Sequence, residues 1–154
     1  MPEQSPKRAL AGFIARFDPK IASLARAVLA SVRARLPGAN ELVYDNYNAL
    51  VVGFCSTDRA SSAICSVAVY PRWVNVFFFN GSDLPDPQNL LEGSGSVVRR
   101  IRVNDAALID EPAVKALIGH AAKLADTPLD RKNRGRTIVR AVSKKHRLRR
   151  PAHL

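Results

Sequence analysis

Two stretches of the chain repeat apolar residues at the spacing of a helix with one buried face. The first begins after Asp18, which can cap the helix, and ends before Pro37, which predicts a helix of about 18 residues. The second begins at Pro112 and predicts another long helix. Its apolar stripe consists of Val114, Leu117, Ile118, Ala121 and Leu124.

The chain between the two helices has the pattern of strands. It is rich in β-branched and aromatic residues, with turn residues at short intervals. We expect about five strands, near residues 41–45, 47–55, 63–70, 73–79 and 97–103. The order of elements predicts an α+β domain in which an antiparallel sheet is backed by two long helices. Because two helices cover only one face of such a sheet, we expect the other face to be solvated, dimerised or used for binding.

The charge of the chain is large and uneven. The 154 residues carry 24 Lys and Arg against 13 Asp and Glu, a net charge of +11. Residues 127–154 hold 10 of these bases and one acid, Asp130, which leaves +9 by subtraction. We predict a domain at residues 13–126 followed by a basic extension that is disordered or partly helical, and dispensable for folding. The extension would bind nucleic acid weakly and without specificity, or would be a solvated tail without a partner.

Membrane association and export are not expected. No apolar run approaches the roughly 20 residues that cross a bilayer, and the N-terminus lacks the apolar core of an export signal. We therefore expect a cytoplasmic protein with reduced cysteines. The neighbours of Cys55 and Cys65 are apolar, which favours buried, unreactive thiols. A hairpin would permit contact between the two side chains without requiring it.

Four segments of the chain, taken together and in this order, carry a family resemblance. They are YDNYNAL (44–50), YPRWVNVFF (70–78), LLEGSG (90–95) and VRRI (98–101). Together they resemble the YdhG-like domains, a bacterial family whose biochemical role is not established. The resemblance covers roughly residues 18–125 and implies a compact α+β domain with a frataxin-like arrangement of sheet and helices. Some relatives have been described as iron chaperones on that likeness, which implies iron handling as an alternative here. Many relatives have a lysine where this chain has Ser96.

The glycine-rich stretch 93–96 and the basic strand after it predict an anion site. Backbone amides, hydroxyls and guanidinium groups together can hold a phosphate or a carboxylate. The candidate ligand groups are Ser94, Ser96, Arg99, Arg100 and Arg102. Since side chains alternate along a strand, Arg100 and Arg102 should share one face and Arg99 the other. The alternative is a flexible connection followed by a solvated basic strand.

A group of aromatic and amide residues on or beside the sheet predicts a small-ligand pocket. Such residues combine an apolar body with a polar tip. The candidates are Tyr47, Asn48, Tyr70, Trp73 and Asn75. The alternative is that these side chains pack in the core or form a homodimer interface through the sheet face.

Candidate metal and catalytic residues are few. Asp105, Asp110 and Glu111 are the one close acidic group, and the last two also suit the start of a helix. No zinc spacing or nucleophile motif is present, so no catalytic residue can be named. We expect a non-enzymatic binding module without a cofactor, which takes an anionic small molecule or a protein on the open sheet face and basic strand. A frataxin-like metal chaperone is the second hypothesis, and a small enzyme the third.

Overall fold

The computed structural model of the protein describes residues 5–151, and within them six strands form one sheet. The strands are β1 (Asn40–Asp45), β2 (Leu50–Cys55), β3 (Ala63–Val69), β4 (Val74–Phe78), β5 (Arg99–Val103) and β6 (Thr137–Val142). Their order across the sheet is β5-β4-β3-β2-β1-β6. Neighbours are antiparallel except β1 and β6, which are parallel. The predicted α+β class is confirmed, while the sheet is mixed and has one strand more than expected.

Strand β6 corrects the prediction of a disordered or partly helical extension. Residues 137–142 pair along β1, and Val139 packs against the hydrophobic core. Gly135 permits the approach, because a Cβ atom there would collide with the carbonyl oxygen of Ala39. The partner strand lies far away in sequence, so no local pattern indicates this pairing. Residues 152–154 of the predicted extension lie outside the described residues.

The helical layer consists of three α-helices rather than two. They are α1 (Pro6–Ala15), α2 (Pro19–Arg35) and α3 (Pro112–Leu124). Helix α1 begins before the predicted domain start at residue 13, and the hydroxyl of Ser5 caps it by accepting the N–H of Arg8 at 3.2 Å. Helices α2 and α3 lie where their apolar stripes predict. No helix in the described part of the chain is long and apolar enough to cross a membrane.

The two faces of the sheet differ in what covers them. Alternate strand residues such as Val43, Val52 and Val76 belong to the core cluster together with the buried residues of the helices. The positions between them form the opposite face, which we call the open face. It contains Leu42, Tyr44, Val51, Gly53, Ser66, Ala68, Asn75, Phe77, Arg100 and Arg102. None of these residues belongs to the core cluster, so this face carries no helical layer within residues 5–151.

The two cysteines are free and buried, as predicted. Burial raises the pKa of Cys55 from 9.0 to about 11, although a hydrogen bond with Ser62 acts against the shift. Burial likewise raises the pKa of Cys65 from 9.0 to about 12. Both thiols are therefore protonated near neutral pH and are weak nucleophiles.

Candidate functional site

Two tight turns lie side by side at one end of the sheet. In the β1–β2 turn, the N–H of Asn46 donates to the carbonyl of Ala49 at 3.0 Å. In the β3–β4 turn, the N–H of Tyr70 donates to the carbonyl of Trp73 at 2.9 Å, so residues 71–72 form the predicted short connection. Because β2 and β3 are antiparallel neighbours, both turns reach the same end.

Residues 143–151, which we call the C-terminal segment, cross this end of the sheet. Strand β6 runs parallel to β1, so the chain emerges beside the end of β1. The N–H of Ser143 donates to the carbonyl of Asp45, and the N–H of Arg147 donates to the carbonyl of Tyr47, both at 2.9 Å. The basic C-terminal segment is thereby placed next to the β1–β2 turn.

A buried ion pair anchors the C-terminal segment. Arg149 Nη2 lies 3.0 Å from Asp45 Oδ1, and the two side chains are only 5% and 1% exposed. The guanidinium also donates to the carbonyls of Asn46 and Tyr47, and it lies 5.4 Å from the centre of the Phe17 ring. A buried charge pair of this kind resists separation, because either partner alone would be left buried and unpaired.

Further contacts hold both sides of this anchor. His146 Nε2 lies 3.1 Å from the carbonyl oxygen of Asp45 and 3.1 Å from its Oδ2. Arg150 donates to the carbonyls of Ala15 and Arg16 at the end of α1. The backbone of the segment is therefore tied to the sheet and to the helical layer.

A cleft of about 590 Å³ lies between the β3–β4 turn and the C-terminal segment. Its lining includes Asn48, Tyr70, Trp73, Arg72, Arg147 and Arg150. No carboxylate is among the residues that line it. The volume is that of a small-molecule site, and the lining combines aromatic rings, an amide and three arginines. Such a cleft attracts anions and offers a flat surface to a ring.

The aromatic wall of the cleft is an arranged pair of rings. The centres of the Tyr70 and Trp73 rings are 5.8 Å apart, with an angle of 38° between their planes. The guanidinium of Arg102, which is exposed, lies 4.5 Å from the centre of the Trp73 ring. This distance is that of a cation–π contact, so the one tryptophan of the chain is held against a positive charge.

The open face continues from the cleft along β4 and β5. Phe77 and Arg100 are half-buried and pair with each other across the two strands. Asn75 lies between Trp73 and Phe77 on the same face and is 4% exposed. Its Oδ1 has no hydrogen-bond partner among the described residues. The face thus carries an unused acceptor between two aromatic side chains.

The predicted pocket residues are brought together in part. Asn48, Tyr70 and Trp73 meet in the cleft. Tyr47 lies beside it, with its side chain 50% exposed and its carbonyl oxygen holding the C-terminal segment. Asn75 lies on the open face rather than in the cleft.

None of the three arginines of the cleft is among the predicted ligand groups. Arg72 lies in the short β3–β4 turn, and the positions of Arg147 and Arg150 depend on strand β6. The one signal for them in the sequence is the concentration of positive charge after residue 127. That signal predicts affinity for anions but no location, because it does not reveal where the chain returns to the sheet.

The predicted anion site at the glycine-rich stretch is not assembled in the structure. Ser94 and Ser96 are exposed. Arg99 packs against Gly81 and donates to the carbonyls of Gly95 and Val98, so its guanidinium is taken up by its own loop. Arg100 and Arg102 share the open face, and Arg99 lies on the other face, as the alternation of the strand predicts. Of the two arginines on the open face, Arg102 lies against Trp73 beside the cleft, whereas Arg100 pairs with Glu92 next to the glycine-rich stretch.

The three candidate metal ligands have structural partners or stand apart. Asp105 accepts the N–H of Ala107 at 2.9 Å as a helix cap, and Asp110 lies 3.4 Å from Arg35. Glu111 is exposed at the start of α3. Within residues 5–151 no group of three or more potential metal ligands is found. These residues therefore offer no preformed cation site in this part of the chain.

A second depression, of about 830 Å³, lies between α1 and the free edge of β6. Its lining is largely apolar and includes Phe13, Val139 and Val142, with Arg134 and Arg136 among its basic residues. It contains none of the residues that the sequence singles out, and it lacks a pair of aromatic rings with converging arginines. We therefore place the candidate site in the cleft.

No protein-family model, no curated protein and no solved structure matches this chain. The YdhG-like resemblance stays a prediction, as does the frataxin-like arrangement that it implies. The candidate site is accordingly argued from the geometry and chemistry of the cleft.

Proposed function

We propose that the protein is a non-enzymatic binding module whose cleft takes an anionic small ligand that carries a planar ring. The observation that carries this proposal is the lining of the cleft. Two aromatic rings and the arginines Arg72 and Arg147 line one space together with Arg150, whose guanidinium also donates to the carbonyls of Ala15 and Arg16, and no carboxylate lines it. The ring of the ligand would stack on Trp73, and its anionic group would lie against Arg72 and Arg147.

The anchoring of the C-terminal segment supports a built site rather than an incidental surface hollow. Arg149 is buried in an ion pair, which fixes its exposed neighbours on both sides. The backbone that carries Arg147 and Arg150 is thus fixed beside the cleft, which reduces the conformational freedom that is lost on binding. Such preorganisation is what a specific anion site requires.

A homodimer through the open face is a weaker use of the same surface. Pairing two copies face to face about an axis near β5 would bring Arg100 and Arg102 of one protomer near the same residues of its partner. Like charges in such an interface repel each other and must be desolvated. An anionic ligand complements this part of the surface, whereas a second copy in that arrangement does not.

The fluorescence of Trp73 provides a direct test, because the chain contains one tryptophan. We expect adenosine 5′-monophosphate to quench this fluorescence saturably and inorganic phosphate to compete with it. Adenosine, which lacks the anionic group, should bind far more weakly. The double variant R72A/R147A should lower the affinity about 10-fold or more, since it removes two charged donors.

The matched control is R26A, which removes an exposed arginine from α2 and leaves the cleft intact. It should bind adenosine 5′-monophosphate as the parent protein does. The proposal is overturned if millimolar nucleotide leaves the fluorescence unchanged, or if R72A/R147A and R26A bind it equally well.

A further inference from the structure

We infer that the ligand of this surface is single-stranded nucleic acid, with one base in the cleft and further nucleotides along the open face. The inference rests on the proposed function, because it identifies the anionic, ring-bearing ligand of the cleft. It extends the site from a pocket to a path that runs along β4 and β5.

The distribution of charge in the sheet favours a polyanion. The strands contain two carboxylates, Glu41 and Asp45, and both lie at positions of the helix-covered face. Each is already paired, Glu41 with Arg33 at 2.7 Å and Asp45 with Arg149 at 3.0 Å. The open face carries no carboxylate in any of its six strands within residues 5–151. The nearest carboxylate is that of Glu92, which is exposed and pairs with Arg100 in an isolated bridge at the edge of β5. A phosphate backbone that follows β4 on this face therefore meets mainly positive charges.

The aromatic side chains are placed to take separate bases. Trp73, which directly precedes β4, and Phe77 lie on the same side of the sheet, four residues apart, which corresponds to about 13 Å of extended chain. Both are half-buried, so each can expose part of its ring to a base. Arg102 and Arg100 accompany them on the neighbouring strand. Alternating rings and arginines are the composition of a surface that binds single strands by stacking and charge.

The unused acceptor of Asn75 adds a polar contact between the two rings. Its Oδ1 is buried and has no partner among the described residues. Such a group gains from a donor brought by a ligand, because an unpaired buried acceptor is costly. The exocyclic amino group of a base that lies between Trp73 and Phe77 is a donor of this kind.

A double helix fits this surface less well than a single strand. The bases of a duplex are stacked on each other, so their faces are not available to Trp73 and Phe77. A duplex could use only the charges of the surface. A lone nucleotide, in turn, could fill the cleft but could not reach Phe77 or Arg100.

The experiment measures the binding of a fluorescently labelled oligodeoxyadenylate of about ten nucleotides by anisotropy, with adenosine 5′-monophosphate titrated in parallel. We expect the oligonucleotide to bind more tightly than the mononucleotide. The variant F77L keeps an apolar side chain but loses the ring, so it should weaken oligonucleotide binding about 5-fold or more. It should leave the affinity for the mononucleotide unchanged, because Phe77 does not line the cleft.

Arg100→Ala is the second variant, and it does not depend on the packing of an apolar side chain. The logarithm of affinity should fall with the logarithm of salt concentration, with a slope of about −0.7 for each phosphate contacted. Arg100→Ala should reduce this slope by about 0.7 if the strand passes β5. R26A is the charge-matched control and should leave the slope unchanged. Thermal unfolding of each variant confirms that the fold is retained.

Several outcomes would overturn the inference while leaving the proposed function intact. These are an oligonucleotide that binds no more tightly than the mononucleotide, equal oligonucleotide affinity in F77L and the parent, or equally effective competition by duplex DNA of the same length. Failure of the mononucleotide to bind at all would overturn the proposed function itself. The two failures are therefore distinguishable within one set of titrations.

Discussion

Replacing Arg149 by methionine should destabilise the protein substantially, although the residue is close to the end of the chain. The side chain of Asp45 is 1% exposed, so the substitution leaves a buried carboxylate without the guanidinium that pairs with it. Removing one member of a buried ion pair typically costs about 3–5 kcal/mol. His146 and Arg16 remain 3.1 Å and 3.9 Å from Asp45 Oδ2, and both compensate in part. We therefore expect a loss of about 3 kcal/mol in the free energy of unfolding.

This loss is large enough to measure in two independent ways. For a domain of this size, 1 kcal/mol changes Tm by about 2–4 °C, so R149M should lower Tm by about 6–12 °C. Urea unfolding followed by Trp73 fluorescence should give the same difference in free energy. R149M should also weaken the binding of adenosine 5′-monophosphate, because the C-terminal segment that carries Arg147 and Arg150 would no longer be anchored.

The control for R149M is R147M, in which an exposed arginine of the same segment is replaced. It should change the free energy of unfolding by no more than about 0.5 kcal/mol. The double variant D45N/R149M should be less destabilised than the sum of its single variants, since the pair acts as a unit. The reasoning is refuted if R149M is as stable as R147M, or if the two single effects are additive.

Three further predictions follow from the fold. Cys55 and Cys65 should react slowly with iodoacetamide in the native protein at mildly alkaline pH. A pKa raised from 9.0 to about 11 lowers the thiolate fraction of Cys55 about 100-fold. Rapid labelling of the thiols, detected by mass spectrometry, would contradict this. Gly135→Ala should lower the free energy of unfolding by about 1–3 kcal/mol, because the added methyl group collides with the chain before β1. Gly12→Ala, which has open space around it on α1, should raise that free energy by about 0.5–1 kcal/mol. Urea unfolding measures both changes. Deleting residues 137–154 should abolish cooperative thermal unfolding because it removes β6 and the anchor of β1; a truncated chain with an unchanged circular-dichroism melt would show that the extension is dispensable.

The individual helices and strands could be predicted from the sequence, because the residues that determine each of them lie close together along the chain. Helix α2 begins after a capping aspartate and ends before a proline and a glycine, and the structure gives Pro19–Arg35. Strand β4 alternates between the core and the open face as its residues indicate. A second face without a helical layer follows from the small number of helices, and the core cluster occupies one face only within the described residues, although Leu42, Ser66 and Ala68 on the open face are buried.

The position of the basic extension could not be predicted, because it depends on contacts between distant parts of the chain. Val139 favours a strand, as valine generally does, but the charged residues around it obscure the apolar alternation that would predict one. Its pairing with Val43 requires Gly135 to pass close to Ala39, which no local window contains. The same limit applies to the candidate site. The residues next to Trp73 in the sequence predict that it lies in a pocket, whereas Arg147 reaches the cleft only through β6.

The measurement that tests the account most directly is the nuclear magnetic resonance signal of the Trp73 indole N–H during a titration with adenosine 5′-monophosphate. The chain has one tryptophan, so a ¹⁵N-labelled sample gives one indole signal that needs no assignment. If the cleft binds a ring-bearing anion, this signal should move saturably, and the movement should be strongly reduced in R72A/R147A but not in R26A. An indole signal that stays in place at millimolar nucleotide would contradict the account.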